Sequence, residues 1–103
     1  MNAAAFEILA DPSRRRILGL LLDGERSAGE LVAALQISQP AVSKHLKALR
    51  EAGFAEVRAD AQRRLYRLRP EPLAEIDVWL EPFRRYWSGK LDRLERYLDT
   101  EGS

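Results

Sequence analysis

The chain has 103 residues, 46% of them hydrophobic, a formal net charge of +1 and no cysteine. That is the size of one domain, 1–103, whose core is small enough that a partner subunit would help stabilise it. Disulfides and thiolate metal ligands are excluded; no apolar run approaches the roughly 20 residues that span a bilayer, and the start Met1 to Glu7 lacks a signal peptide's basic region, so a cytoplasmic protein without a membrane partner is expected.

The first element is a short helix over Ala3 to Leu9, carrying Phe6, Ile8 and Leu9 and ended by Asp11-Pro12. Alone it would be unstable, so it must dock on something. Asp11 caps a second helix with Pro12 in its first turn, where the missing amide has no intrahelical partner. Ile17, Leu18, Leu20, Leu21 and Leu22 give that helix a broad buried face, and Asp23-Gly24 stops it. Arg14, Arg15 and Arg16 sit at its start, where the macrodipole disfavours cations, so they are expected to be solvated or, second, to face phosphate.

Ser27 to Leu35 reads as a third helix opened by the capping box Ser27-x-x-Glu30. Only Gln36-Ile37 separates it from a fourth, 38–52, capped by Ser38 with Pro40 in the first turn and Gly53 as a left-handed stop. Val42, Leu46 and Leu49 recur at i, i+4 and i+7 and form its packing stripe. Gln39, Ala41, Ser43, Lys44, Lys47 and Arg50 are left to face water. Polar residues opposite an apolar stripe are what any solvated surface helix shows. Two short helices, a tight connection and a basic second helix together make the sharper helix-turn-helix pattern. Such a helix fits the major groove of double-stranded DNA, roughly 12 Å wide, where short polar groups reach base edges and cations reach phosphates.

Beyond Gly53-Phe54 the period changes from helical to alternating. Val57, Tyr66 and Leu68 fit one face of a two-stranded hairpin over 55–68, with Arg58 and Arg67 on the other and Leu65 out of step. The connection near Asp60-Ala61-Gln62 lacks Asn-Gly, so its turn type is open. A basic hairpin after a recognition helix reads as a wing, with Arg58, Arg63 and Arg64 along the backbone or minor groove. Pro70-Glu71-Pro72 then opens a terminal helix, 71–99, with Leu73, Ile76, Leu80, Phe83, Trp87, Leu91, Leu94 and Leu98 on one stripe, widened by Trp79, Tyr86 and Tyr97. That is more apolar surface than one side of a small core needs, and it implies a second copy of the chain. Pro82 falls inside the helix, leaving one kinked helix or two as alternatives.

The charge is unevenly spread. From Ser38 to Arg69 eight cations stand against three anions, a balance of +5, whereas from Pro70 on five stand against eight, a balance of −3. One region suits a polyanion and the other does not. No Gly-rich phosphate loop or nucleophile elbow occurs, and Ser43 and His45 point about 200° apart on a helix, which leaves no local nucleophile-base pair and no catalytic residue.

Asp11-Pro12-Ser13-Arg14-Arg15-Arg16-Ile17-Leu18, Glu30-Leu31 and the stretch from Ile37 to Gly53, with its Ser-Gln-Pro-x-Val-Ser-x-His-Leu core, resemble the ArsR/SmtB family of bacterial winged-helix repressors over nearly the whole chain. The resemblance implies a mainly α fold: a winged helix-turn-helix with a two-stranded β wing and N- and C-terminal dimerisation helices. It implies a homodimeric repressor reading an inverted-repeat operator, with Ser38, Gln39, Ser43 and Lys44 at the bases. Joined to the charge pattern, the expected DNA-binding set is Ser38, Gln39, Pro40, Ser43, Lys44, His45, Lys47, Arg50, Arg58, Arg63 and Arg64. The expected dimer interface is Phe6, Leu9, Leu80, Phe83, Trp87, Leu91 and Leu94. The family's metal-sensing members carry cysteines on the helix before recognition, or His and Asp on the terminal helix. Here the former has no thiolate, and the sole histidine, His45, has no partner set, so neither metal nor cofactor is expected, and the end of the chain resembles a metal-independent, SdpR-like subgroup. A small-molecule effector among Trp79, Phe83, Tyr86 and Trp87 is the weaker reading of aromatics that at helical spacing read first as core or interface. The runner-up function is a winged-helix protein-protein interaction module; the short polar residues from Gln39 onward speak against it.

Overall fold

The computed structural model describes residues 3–101, with side chains placed for 3–99; the outermost positions of the expected 1–103 domain, residues 1, 2, 102 and 103, lie outside the described residues. The order is α1 (Ala3–Ala10), α2 (Pro12–Leu22), β1 (Arg26–Ser27), α3 (Ala28–Leu35), α4 (Gln39–Glu51), β2 (Ala55–Asp60), β3 (Arg63–Leu68) and α5 (Glu71–Glu101).

The local signals set the helix starts. The Asp11 carboxylate accepts from the amides of Ser13 at 2.8 Å and Arg14 at 3.1 Å, satisfying donors that α2 cannot satisfy itself. Ser27 and Glu30 form the full capping box on α3, and Ser38 accepts from the Ala41 amide at the start of α4. Between α3 and α4 the chain reverses through Gln36 at φ +57°, a left-handed conformation that a non-glycine residue adopts at some cost.

The core gathers Ile17, Leu18 and Leu21 from α2, Leu31 and Leu35 from α3, and Val42, Leu46 and Leu49 from α4. Leu22 does not join it; at 74% exposure it points away, because four apolar residues in one five-residue run cannot all lie on one face of a helix. Phe54 is fully buried and ties the end of α4 to the base of the wing: its amide donates to the Leu49 carbonyl and its carbonyl accepts from the Arg69 amide.

The sheet has three antiparallel strands in the order β1-β3-β2, so the expected two-stranded wing gains a short third strand, Arg26–Ser27, paired with Tyr66 and Leu65. Val57 opposite Tyr66 and Ala55 opposite Leu68 face the core; Glu56 opposite Arg67, Arg58 opposite Leu65 and Asp60 opposite Arg63 face outward. The out-of-step Leu65 is buried on that outer face. The hairpin closes through Ala61 at φ +57° and Gln62.

Pro82 leaves α5 a single helix of 31 residues, about 46 Å long at 1.5 Å per residue. Its first turns dock through Leu73, Ile76 and Leu80, and the remainder gives the chain its 61 × 31 × 21 Å extents. No helix among the described residues is long and apolar enough to cross a membrane.

Candidate nucleic-acid interface

The side of α4 away from Val42, Leu46 and Leu49 is open. Gln39, Pro40, Ser43, Lys44, Lys47 and Arg50 are exposed, and Ser38 just before them is exposed too. Gln39, Ser43, Lys47 and Arg50 follow one another at intervals of four, four and three residues, so they make one continuous stripe. Its amide and hydroxyl lie at the helix start and its cations at the end, where the macrodipole favours positive charge. Ala41, expected to face water, is half-buried.

His45 sits differently. It is half-buried on the side toward α2, and its Nδ1 accepts from the Arg14 Nε at 3.4 Å.

Of the arginines at the start of α2, Arg15 and Arg16 are exposed as expected and Arg14 is half-buried, but all three also have protein partners. Arg14 and Arg15 donate to the carbonyls of Glu7 at 3.4 Å and Leu9 at 2.6 Å in the last turn of α1, and Arg16 to that of Ala34 at 3.4 Å in the last turn of α3. They satisfy carbonyls that have no intrahelical donor and place cations at two negative helix ends. Successive residues point about 100° apart, so three in a row reach different neighbours.

On the wing, charge is mostly spoken for. Arg58 grips Glu25, with Nε donating to both carboxylate oxygens at 2.9 and 3.0 Å and an Nη2 contact at 2.8 Å. The hydrogen bond from Arg58 holds the Glu25 carboxyl below the usual carboxylate range, and the same bond raises the guanidinium. Arg63 lies 3.4 Å from Asp60, Arg67 pairs with Glu56, and Arg69 lies 3.9 Å from Glu56 and 3.5 Å from Glu71. Lys44, Lys47, Arg50 and Arg64 have no acid partner among the described residues. The sequence balance of +5 over this region therefore resolves into four open cations and an outer wing face that is internally neutralised. The acids at Glu25 and Glu56 that do this were not singled out from sequence, although a strand register pairing Glu56 with Arg67 would have exposed one of them.

The residues expected at a subunit interface divide in two. Leu9 and Leu80 are half-buried against the protomer's own core. Phe6, Phe83, Trp87, Leu91 and Leu94 remain between 42% and 59% exposed. Phe6 stacks edge-on against Trp79 with centroids 5.5 Å apart, and Trp79 lies 4.9 Å from Phe83, so α1 and α5 present one aromatic surface.

Among the described residues no group of three or more His, Cys, Asp or Glu is placed to hold a metal ion. The chain's single imidazole, His45, has its Nδ1 turned to the Arg14 guanidinium.

Comparison with known proteins agrees with this geometry. The family model for the bacterial regulatory protein, arsR family, matches residues 11–57, from the α2 cap into β2. The HTH-type transcriptional regulator Rv2034 of Mycobacterium tuberculosis is 39% identical over 98 residues, covering 95% of this chain and 89% of its own. The transcriptional repressor SdpR of Bacillus subtilis is 33% identical, covering 76% and 87%. A crystal structure described as a possible transcriptional regulator for arsenical resistance superposes with a TM-score of 0.70 at 38% identity, covering 92% of this chain and 96% of that one. The chain belongs to the ArsR family of bacterial winged-helix regulators, and is a DNA-binding transcriptional regulator rather than an enzyme.

Proposed function

We propose that the protein is a homodimeric, sequence-specific repressor that binds an inverted-repeat operator and does not respond to a metal ion. The observation that carries the reading is the α4 stripe: short polar groups followed by Lys47 and Arg50, with no acid among the described residues to satisfy those cations. Ser38, Gln39, Pro40 and Ser43 would meet base edges and sugar; Lys44, Lys47, Arg50 and Arg64 would meet phosphates. His45 would act from behind, holding α4 against α2 through Arg14.

The second copy is argued from α5. Phe83, Trp87, Leu91 and Leu94 continue the stripe that Ile76 and Leu80 bury, yet each keeps 42% to 59% of its surface exposed in the protomer. A stripe on one straight helix is self-complementary under a two-fold axis, and such pairing would carry two α4 helices to successive major grooves, roughly 34 to 36 Å apart. Repression would follow from occlusion of the promoter. The lack of a clustered donor set among the described residues supports metal independence, while one similar structure is that of a possible transcriptional regulator for arsenical resistance.

Titration of the duplex upstream of the protein's own coding sequence, by anisotropy at several salt concentrations and against mixed-sequence competitor, tests the reading. Saturable binding by a dimer that survives competitor supports it. Equal affinity for every duplex, or binding by a monomer, refutes it.

A further inference from the structure

The Glu25–Arg58 contact does more than join two surface charges. Glu25 lies just before β1 and Arg58 lies on β2, and β3 runs between those strands. The contact must therefore cross β3, and the residue between is Leu65, flanked by Ser27 on one side and Arg58 on the other. That accounts for a buried leucine on the outward face of the wing. Both carboxylate oxygens engage the guanidinium, the geometry in which a carboxylate best imitates a phosphate. A phosphate that meets Arg58 therefore finds a guanidinium whose Nε and Nη2 edge and whose charge are already engaged by a carboxylate of the same chain.

We propose that Glu25 is a specificity-determining residue of DNA binding: its carboxylate occupies the guanidinium of Arg58 and keeps that wing cation from the phosphates of every duplex the protein meets. The inference rests on the reading that α4 and the wing face DNA. Nonspecific affinity comes almost entirely from phosphate contacts, and in that mode a protein shifts along the backbone until any open cation finds a partner. In the specific complex the base contacts of α4 fix the register, so an added cation gains less. Withdrawing Arg58 thus lowers nonspecific affinity more than specific affinity, and in a genome full of competing sites that ratio decides occupancy.

The experiment uses the full chain and a fluorescein-labelled mixed-sequence duplex, with affinity followed between about 50 and 200 mM NaCl. Glu25→Gln should steepen the dependence of log K on log salt by about 0.9 per protomer and tighten binding at low salt several-fold. Arg58→Gln in the wild-type background should leave the slope unchanged, because that cation is already withdrawn, and the double variant should return to the wild-type slope. An unchanged slope in Glu25→Gln overturns the proposal, and so does a slope reduced by Arg58→Gln alone. If Glu25→Gln does not fold, Arg58→Gln decides by itself. A wild-type protein that shows no salt-dependent DNA binding would remove the DNA-facing reading; intact wild-type binding with silent variants would remove only the role of Glu25.

Discussion

Replacing Lys47 by Gln isolates the part of the α4 surface proposed to contact phosphate. The side chain is exposed and has no acid partner among the described residues, so the change breaks no ion pair there and leaves Val42, Leu46 and Leu49 untouched. Stability should move by no more than about 0.5 kcal/mol, as at an ordinary surface position. One phosphate contact contributes about 0.9 to the slope of log K on log salt, and in a two-fold dimer the residue occurs twice, so the slope should fall by about 1.8. Raising salt fourfold, from about 50 to 200 mM, changes its logarithm by about 0.6, so the wild type should lose about tenfold more affinity than the variant over that range. Anisotropy with a labelled duplex measures this directly. Gln39→Ala supplies the contrast: its slope should stay unchanged while discrimination between bases falls by about 1 to 3 kcal/mol. A Lys47 variant with the wild-type slope, or a Gln39 variant that loses slope as Lys47 does, would refute the division of roles.

Leu46→Ala, in the fully packed stripe of α4, should cost about 2 to 5 kcal/mol in chemical denaturation, whereas Leu22→Gln, at 74% exposure, should stay within about 0.5; similar costs would contradict the assigned core. Leu91→Glu should shift the protein to a monomer in size-exclusion chromatography with light scattering and weaken operator binding, and a variant that stays dimeric would place the interface elsewhere. Among the described residues three carboxyls sit below the usual range: Asp11 through the Arg14 amide, Glu25 through Arg58, and Glu30 through the Ser27 amide. A carboxyl lowered in the folded state stabilises it above its unfolded value, and the contribution disappears as pH falls through the folded one. The melting temperature should therefore change little from neutral pH to about pH 5 and decline below about pH 4, and a rise on acidification would contradict those contacts.

The fold was legible where the chain carries short-range chemistry. Asp11-Pro12, the Ser27-Glu30 box, Ser38 and the spacing of Val42, Leu46 and Leu49 each act within one or two helical turns, and each appears as expected. The parts that were not legible depend on distant neighbours. Arg26–Ser27 is too short to show alternation and is a strand only because β3 lies beside it. Leu65 looks misplaced in a two-faced hairpin until the Glu25–Arg58 contact lies across it. Arg14, Arg15 and Arg16 look unfavourable at their own helix start and make sense only beside the ends of α1 and α3. Charge counting likewise located the most basic stretch of the chain, while pairing across the strands decides which of its cations are open.

Selection of duplexes from a random pool by the wild-type protein, repeated with Gln39→Ala, tests the central claim most directly. The account predicts an enriched inverted repeat whose half-sites lie about one helical turn apart, roughly 10 base pairs centre to centre, with the Gln39 substitution changing the preferred base at one symmetric position of each half-site. A pool that enriches no common sequence, or a single unrepeated site indifferent to Gln39, would contradict it.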